Sequence, residues 1–104
     1  MPYEIRWTRQ AEKDYENIKA AGLASKVAQI MKTVRQNPFE QSQGFKKLKG
    51  RENTYSRQIT KKHRFTYTFI PNTQNTLEPV SSKPYNGFVK VLSMWTHYES
   101  LHDL

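Results

Sequence analysis

The chain has 104 residues, of which 17 are Lys or Arg and 9 are Asp or Glu, so its formal net charge is +8 with neutral histidines. A chain of this length forms one domain with one modest core, too small for a cofactor domain joined to a substrate domain. It has no cysteine, which excludes a disulfide scaffold, a cysteine nucleophile and a thiolate metal site. The aromatic content of 12% argues against disorder. The excess positive charge points to an anionic partner: RNA, DNA, an anionic membrane or an acidic protein.

The N-terminal segment lacks the apolar stretch of a signal peptide. The apolar runs along the chain are far shorter than the roughly 20 residues that span a bilayer. We therefore expect a soluble cytoplasmic protein with no membrane partner.

The N-terminal part of the chain has the pattern of one strand followed by two helices. Residues 3–7 alternate apolar and charged side chains, as a short strand does. Thr8 has the chemistry of a helix N-cap, and apolar residues then recur at helical spacing as far as Gly22, a typical residue after a helix C-terminus. A second helical stripe begins at Leu23 and stops before Pro38. The short connection between the stripes predicts an antiparallel helical hairpin.

The C-terminal part of the chain alternates like a sheet. Four strands are predicted, at residues 45–49, 55–59, 63–70 and 88–98. One face of the third carries residues expected in the core, Phe65, Tyr67 and Phe69. The last strand is apolar on both faces, so we expect it to be central. Residues 71–87 are rich in proline and form a long inserted loop, and residues 99–104 form a C-terminal tail.

The order β-α-α-β-β-β-β predicts an α+β fold. An antiparallel sheet with a helical hairpin packed on one face buries the apolar stripes of both layers in one core. The sequence shows no internal repeat, so we expect a single domain over residues 1–104.

Most of the positive charge lies in one segment. Residues 46–64 contain eight basic residues and one acid, Glu52, a net charge of +7 in 19 residues. These residues fall on consecutive strands, so the sequence predicts one basic patch on the sheet. A solvated face usually mixes charges of both signs, whereas a single-sign field of this density is typical of phosphate binding. The aromatic residues nearby, Phe45, Tyr55 and Tyr98, can stack on unpaired bases where they are exposed.

Two histidine-containing segments can form a reactive centre at one end of the sheet. His63-Arg64 opens one predicted strand and His97-Tyr98 closes the next, so antiparallel pairing would place Arg64 near His97. A histidine transfers protons near neutral pH, and an arginine clamps a phosphate. These groups suit metal-free cleavage of RNA by its own 2′-hydroxyl. The residues alone leave open that each histidine is an ordinary strand-end residue, and their spacing disfavours a metal site.

A combination of short motifs is specific to one family. The segments are Asn37-Pro38-Phe39-Glu40, Leu48-Lys49, Tyr55 to Thr60, His63 to Tyr67 and Thr96-His97-Tyr98. Together they resemble the YoeB/Txe branch of the RelE/ParE toxin superfamily, over about residues 3–70 and 88–98. The resemblance implies a RelE-like microbial ribonuclease-type fold. It also implies a type II toxin that cuts mRNA in the ribosomal A site without a metal or other cofactor.

The same resemblance implies partners and site residues. The partners are a cognate antitoxin of the YefM/Axe kind, the ribosome with its mRNA and rRNA, and, as a further option, a second toxin copy in a homodimer. Arg64 corresponds to the arginine at the scissile phosphate, His97 to the general acid or base, and Tyr98 to a tyrosine that orders the substrate. The expected catalytic residues are His97, Arg64, Tyr98, Lys49 and Lys46. The expected RNA contacts are Arg57, Lys47, Arg51, Lys62 and Tyr55.

The chain departs from the family pattern at positions that matter for catalysis. Lys46 stands where many relatives carry a glutamate proposed as the general base. Either His97 takes the base role, or Lys46 acts as a clamp, or Glu52 substitutes, or activity is reduced. Gln58 stands where relatives have a second arginine. Two alternative functions remain open: a ParE-like toxin that acts on gyrase, and a non-catalytic module that binds RNA or the ribosome.

Overall fold

The computed structural model describes residues 3–71 and 87–95. Its helices are α1 (Arg9–Ala20) and α2 (Ala24–Gln36), and its strands are β1 (Glu4–Trp7), β2 (Lys46–Lys47), β3 (Thr54–Gln58), β4 (Arg64–Pro71) and β5 (Gly87–Ser93). The strands form one sheet in the order β1-β5-β4-β3-β2. The predicted α+β class and element order are confirmed. Neither described helix is long and apolar enough to cross a membrane.

One strand pairing differs from the predicted antiparallel sheet. β1 pairs with β5 in parallel, with Glu4 opposite Phe88 and Trp7 opposite Val91, whereas the other three pairings are antiparallel. The two parallel strands are far apart in the sequence, so no local turn sets their relative direction. β5 lies between β1 and β4, which confirms the interior position predicted from its apolar composition.

The strand boundaries shift by a few residues from the predicted ones. β2 keeps only two of its five predicted residues, because the chain turns after Lys47 and the amide of Leu48 donates to the carbonyl of Thr54 at 2.9 Å. β5 ends at Ser93 rather than reaching residue 98. Most of the predicted inserted loop, residues 72–86, and the predicted tail, residues 99–104, lie outside the described residues.

The helix ends follow the sequence signals. The Thr8 hydroxyl accepts a hydrogen bond from the Ala11 amide at 3.1 Å, which confirms Thr8 as the N-cap of α1. The same hydroxyl donates to the carbonyl of Val91 at 3.0 Å and ties the start of α1 to β5. Gly22 follows the C-cap with φ of +73°, a conformation that favours glycine.

The core lies between the helices and one face of the sheet. Its fully buried members are Ala11, Ile18, Val27, Ile30, Val34, Ile59, Phe65, Tyr67, Val89, Val91 and Met94. Two of the three core residues predicted on β4 are among them, and the third, Phe69, packs against the cluster half-buried. Burying each such apolar side chain contributes roughly 1.5–3 kcal/mol, which makes this layer the main source of stability.

A buried carboxylate joins α1 to the end of β5. Asp14 is 1% exposed, and its Oδ2 accepts hydrogen bonds from the backbone amides of Met94 at 2.9 Å and Trp95 at 3.3 Å. Its Oδ1 accepts from the side-chain amide of Gln10 at 2.8 Å. Asp14 therefore holds the backbone that leads directly toward residues 96–98.

Replacing Asp14 should destabilise the protein measurably. In Asp14→Ala, two backbone amides at the end of β5 lose their acceptor, so we expect the free energy of unfolding to fall by about 1–3 kcal/mol. Urea denaturation measures the change. The matched control is Glu16→Ala, which removes an exposed ion pair with Lys19 (3.1 Å) and should change the free energy by less than about 1 kcal/mol. Equal effects in the two variants would contradict the assigned role of Asp14.

Candidate functional site

The face of the sheet opposite the helices carries hydroxyl and basic side chains. Directly paired residues share a face, and the register pairs Thr54 with Thr68, and Ser56 with Thr66. The register also pairs Gln58 with Arg64, Thr66 with Ser93, and Thr68 with Lys90. We call these eight residues the polar face, and none of them is acidic. Thr54 and Ser56 are only 4% and 2% exposed, so the hydroxyls that lie beside the cations at the surface are those of the half-buried Thr66, Thr68 and Ser93. Such hydroxyls beside cations suit the phosphate groups of nucleic acids.

Arg64 is fixed within the polar face by neutral partners. Its Nε donates to the Ser56 hydroxyl at 2.9 Å, and its Nη2 donates to the carbonyl of Gly44. Within residues 3–71 and 87–95, Arg64 forms no ion pair with a carboxylate. Partial burial lowers the pKa of Arg64, but a guanidinium stays protonated in proteins. Its positive charge is therefore held in place and not neutralised by a described acid.

The predicted lysines of β2 divide between the two faces of the sheet. Lys46 pairs with Ser56 and so belongs to the side of the polar face, next to the hydroxyl that Arg64 contacts. Lys47 pairs with Tyr55 and belongs to the opposite side. Both side chains are exposed on an edge strand. The structure thus brings Lys46 toward Arg64 and turns Lys47 away.

Two candidates for the reactive centre, Lys49 and Glu52, and the expected RNA contact Arg51 lie at the other end of β3. Lys49, Arg51 and Glu52 are exposed in the turn between β2 and β3, where they line a shallow groove. Arg64 pairs with Gln58, four residues along β3 from Thr54, which is about 13 Å at the rise of a strand. Lys62 is exposed in the turn that immediately precedes Arg64. The structure therefore separates the β2–β3 turn from Arg64 and leaves Lys62 close to it in the chain.

Arg57 is buried, which corrects the expectation that it lies on an RNA-binding surface. Its side chain is 0% exposed. Its guanidinium donates to the carbonyls of Ser42 at 2.9 Å, Glu40 at 2.6 Å and Pro38 at 3.2 Å. The alternation of β3 turns Arg57 toward the helices, while its neighbour Gln58 takes the polar face. Arg57 thus holds the segment 38–44, here called the latch loop, against the sheet.

Tyr67 completes the attachment of the latch loop. Its hydroxyl accepts from the Arg57 Nε at 3.1 Å and donates to the carbonyl of Pro38 at 2.6 Å. Burial raises the pKa of Tyr67, while the neighbouring Arg57 acts in the opposite direction. The phenol is therefore neutral at physiological pH and available as a donor.

Tyr55 belongs to an aromatic cluster on the helix-facing side of β3. Its ring stacks on the ring of Phe45 with centroids 5.4 Å apart. It also meets the ring of Phe39 edge-on, with centroids 5.5 Å apart. Tyr55 and Phe45 are half-buried, whereas Phe39 is 39% exposed. Base stacking by Tyr55 or Phe45 is therefore limited to the part of each ring that this cluster leaves uncovered.

His97 and Tyr98 lie outside the described residues, and so does the proposed approach of His97 to Arg64. The described chain stops at Trp95, whose ring stacks on His63 with centroids 3.8 Å apart. His63 is 7% exposed and immediately precedes Arg64. The side chain of Trp95, two residues before His97, thus contacts the residue next to Arg64. Among residues 3–71 and 87–95, no three His, Asp or Glu side chains form a metal-ligand group.

One basic residue of the polar face was not predicted. Lys90 on β5 is exposed and pairs with Thr68 on one side and Arg6 on the other. Arg6 is itself engaged, with an ion pair to Glu4 at 2.7 Å and its guanidinium 4.2 Å from the centroid of the Phe88 ring. The polar break at Lys90 within an otherwise apolar strand is the sequence signal that marks this position.

The fold of the chain has counterparts among solved structures. No protein-family model and no curated protein matches the chain. A YoeB/ParE toxin from Agrobacterium tumefaciens superposes with a TM-score of 0.69 at 23% identity, covering 91% of this chain and 99% of that one. The chain has the YoeB-type toxin fold.

Other toxins of this fold are similar to the same extent. YoeB from Staphylococcus aureus, solved as a dimer, gives a TM-score of 0.68 at 24% identity over 94% of this chain and all of that one. The E. coli DinJ–YafQ toxin–antitoxin complex gives 0.67 at 13% identity over 93% of this chain and 94% of that one. These superpositions establish the fold, and the fold agrees with the motif resemblance in the sequence.

Loss of the Arg57 guanidinium should destabilise the protein and release the latch loop. In Arg57→Met, three loop carbonyls and the Tyr67 hydroxyl lose a buried donor, so we expect the free energy of unfolding to fall by about 2–4 kcal/mol. Chemical denaturation followed by tryptophan fluorescence provides the measurement. Arg51→Met, at an exposed position, is the control and should stay within about 0.5 kcal/mol of the parent chain. A fully stable Arg57→Met would show that the latch loop does not need this anchor.

Proposed function

We propose that the chain is the toxin of a type II toxin–antitoxin system and that it cleaves mRNA at the ribosome. The observation that carries the proposal is the fixed guanidinium of Arg64, which lies among hydroxyls with no described carboxylate paired to it. The motif resemblance and the YoeB-type fold support the same conclusion. The net charge of +8 favours a polyanionic substrate.

In the proposed reaction, Arg64 binds the scissile phosphate and stabilises the charge that develops on it. The neighbouring 2′-hydroxyl of the RNA attacks the phosphorus, and the bond to the 5′-oxygen of the next nucleotide breaks. A base takes the proton from the 2′-hydroxyl, and an acid supplies one to the leaving 5′-oxygen. The products are a 2′,3′-cyclic phosphate and a 5′-hydroxyl end. All bonds and protons of this reaction are accounted for without a metal ion.

The proton transfers are assigned to His97, and Tyr98 is assigned to ordering the substrate. Of the candidates for the general base, Glu52 lies in the β2–β3 turn at the far end of β3, which argues against it. Lys46 lies on the same side as Arg64 and serves in this proposal as a second cationic contact. His97 then takes the proton from the 2′-hydroxyl as the imidazole and delivers one as the imidazolium.

A cognate antitoxin is the proposed protein partner. Solved structures with this fold include the YoeB–YefM complex of Staphylococcus aureus and the DinJ–YafQ complex of E. coli. The basic segment 46–64 suits an acidic segment that folds on binding. We place this contact over the polar face near Arg64, where it would block RNA. Retained RNA binding at Arg64 in a purified toxin–antitoxin complex would contradict that placement.

Lys46 at the family's acidic position favours one alternative, a non-catalytic module that binds the ribosome. Primer extension on cellular mRNA after induction distinguishes the functions. The parent chain should produce cuts, and Arg64→Ala should reduce them by at least about 100-fold because it removes the main charge contact of the transition state. His97→Ala should abolish the cuts. Arg9→Ala, an exposed arginine at the start of α1, is the control and should cut normally.

The remaining outcomes separate the alternatives. Ribosome binding that weakens steeply with salt, together with intact mRNA, would establish the non-catalytic module. DNA breaks with intact mRNA would establish a toxin that acts on gyrase. Normal cutting by both Arg64→Ala and His97→Ala would contradict the mechanism proposed here.

A further inference from the structure

We propose that a cavity beside Arg64 binds one nucleobase of the RNA strand whose phosphate Arg64 contacts. The cavity has a volume of about 260 Å³ and lies between α2, the latch loop and the end of β3. Its polar lining comes from Lys26, Gln29, Gln43 and Gln58, and its apolar lining from Ile30 and Ile59. We call it the amide pocket. The inference rests on the proposed function in taking RNA as the ligand.

The amide pocket shares its wall with the anchoring of Arg64. Gln58 lines the pocket and lies directly opposite Arg64 in the β3–β4 register. Gly44 also lines it, and its carbonyl accepts a hydrogen bond from the Arg64 guanidinium. The base and phosphate of a nucleotide are joined through a single sugar. A phosphate at Arg64 therefore brings its own base, or the adjacent one, within reach of the pocket.

The lining chemistry matches the edge of a nucleobase. Each glutamine amide offers one acceptor and two donors, and amide side chains recognise bases through such paired contacts. Single-stranded RNA is read through these exposed base edges. Ile30 and Ile59, which belong mainly to the core, contribute the apolar part of the pocket lining. Lys26 adds a cation that suits a carbonyl or ring nitrogen of a base.

Gln43, which lines the amide pocket, carries an acceptor without a donor. Among the described residues, the Gln43 Oε1 is buried and has no hydrogen-bond partner. An unsatisfied buried polar atom is unfavourable, and native proteins keep few of them. The amino group of a base is a donor of the required kind. This single atom distinguishes the pocket from an ordinary surface hollow.

The backbone around Gln43 is held in a fixed shape. Gln43 and Gly44 have φ values of +54° and +67°, and the Gln43 carbonyl accepts from the Gln58 amide at 2.7 Å. A Cβ on Gly44 would lie 2.9 Å from the Cβ of Gln58, so only glycine permits this approach. Arg57 anchors the preceding residue through the carbonyl of Ser42 at 2.9 Å. The pocket is thus formed before any ligand binds. Because the loop is already ordered, a ligand does not pay the entropy of ordering it.

The size of the amide pocket limits its occupant. Pockets that enclose whole small molecules measure roughly 300–1,000 Å³, and this one lies just below that range. It therefore accommodates a single ring system and not an entire cofactor. A nucleobase attached to an RNA backbone that continues along the polar face satisfies both the size and the position.

Nucleotide titration of the full-length chain tests the inference directly. The side-chain amide resonances of Gln29 and Gln43 are followed by NMR while AMP, GMP, CMP or UMP is added, with ribose 5-phosphate as the probe that lacks a base. At least one nucleotide should produce saturable shifts of both amides, and ribose 5-phosphate should not. Gln43→Leu should weaken that binding by at least about tenfold. Absence of shifts with all four nucleotides, or equal shifts with ribose 5-phosphate, would overturn the inference.

A matched substitution controls for effects on folding. Gln41→Leu makes the same change at an exposed position of the latch loop that does not line the pocket, and it should bind nucleotides as the parent chain does. Circular dichroism confirms folding. If Gln43→Leu does not fold, Gln29→Ala on the exposed surface of α2 replaces it, and unchanged binding by Gln29→Ala would count against the inference.

Primer extension separates this inference from the proposed function. If the parent chain cuts mRNA, Gln43→Leu should alter the nucleotides preferred beside the cut, and Gln41→Leu should not. An unaltered preference would overturn the amide pocket while leaving the nuclease in place. If the parent chain does not cut mRNA, the proposed function fails, and the nucleotide titration decides whether the pocket binds a base.

Discussion

The burial of the Arg57 guanidinium is the interaction on which the candidate site depends. This group joins the carbonyls of Pro38, Glu40 and Ser42 to the sheet and so sets the course of the latch loop. Taking a charge out of water is costly unless its donors are satisfied, and here four hydrogen bonds use four of the five N–H donors of the guanidinium. The loop in turn presents the carbonyl of Gly44 to Arg64. The buried guanidinium of Arg57 thus positions the more accessible guanidinium of Arg64.

The same loop links phosphate binding to base recognition. Gly44 contacts Arg64 through its carbonyl and lines the amide pocket, so the two proposed contacts with RNA share one segment of backbone. Thr8 and Asp14, at the N-cap of α1 and within it, hold the end of β5, which leads to the proposed proton-transfer residue His97. Arg64 and the latch loop are therefore attached to hydrogen-bonded parts of the scaffold, where their positions cost little entropy to maintain.

Two positions where the sequence departs from the pattern it resembles, Gln58 and Lys46, lie beside Arg64 in the structure. By the motif resemblance, Gln58 stands where similar toxins carry a second arginine; in the structure it pairs with Arg64 and lines the amide pocket. The site therefore has one fewer positive charge and one more hydrogen-bonding amide, a change from charge attraction toward recognition of polar edges. Lys46 replaces an acid beside Ser56 and restores positive charge on that side. The two substitutions together keep the net charge near Arg64 positive while altering its chemistry.

The sequence by itself determined the α+β class, the helix ends at Thr8 and Gly22, and the location of the positive charge, because periodicity and capping are local. It also predicted one basic patch on consecutive strands, which includes Arg64 and Lys46. Only the tertiary structure decided that Arg57 is buried, since that depends on which face the helices cover. Tertiary contacts between distant segments also set the parallel pairing of β1 with β5 and closed the amide pocket. Such contacts leave no periodic signal along the chain.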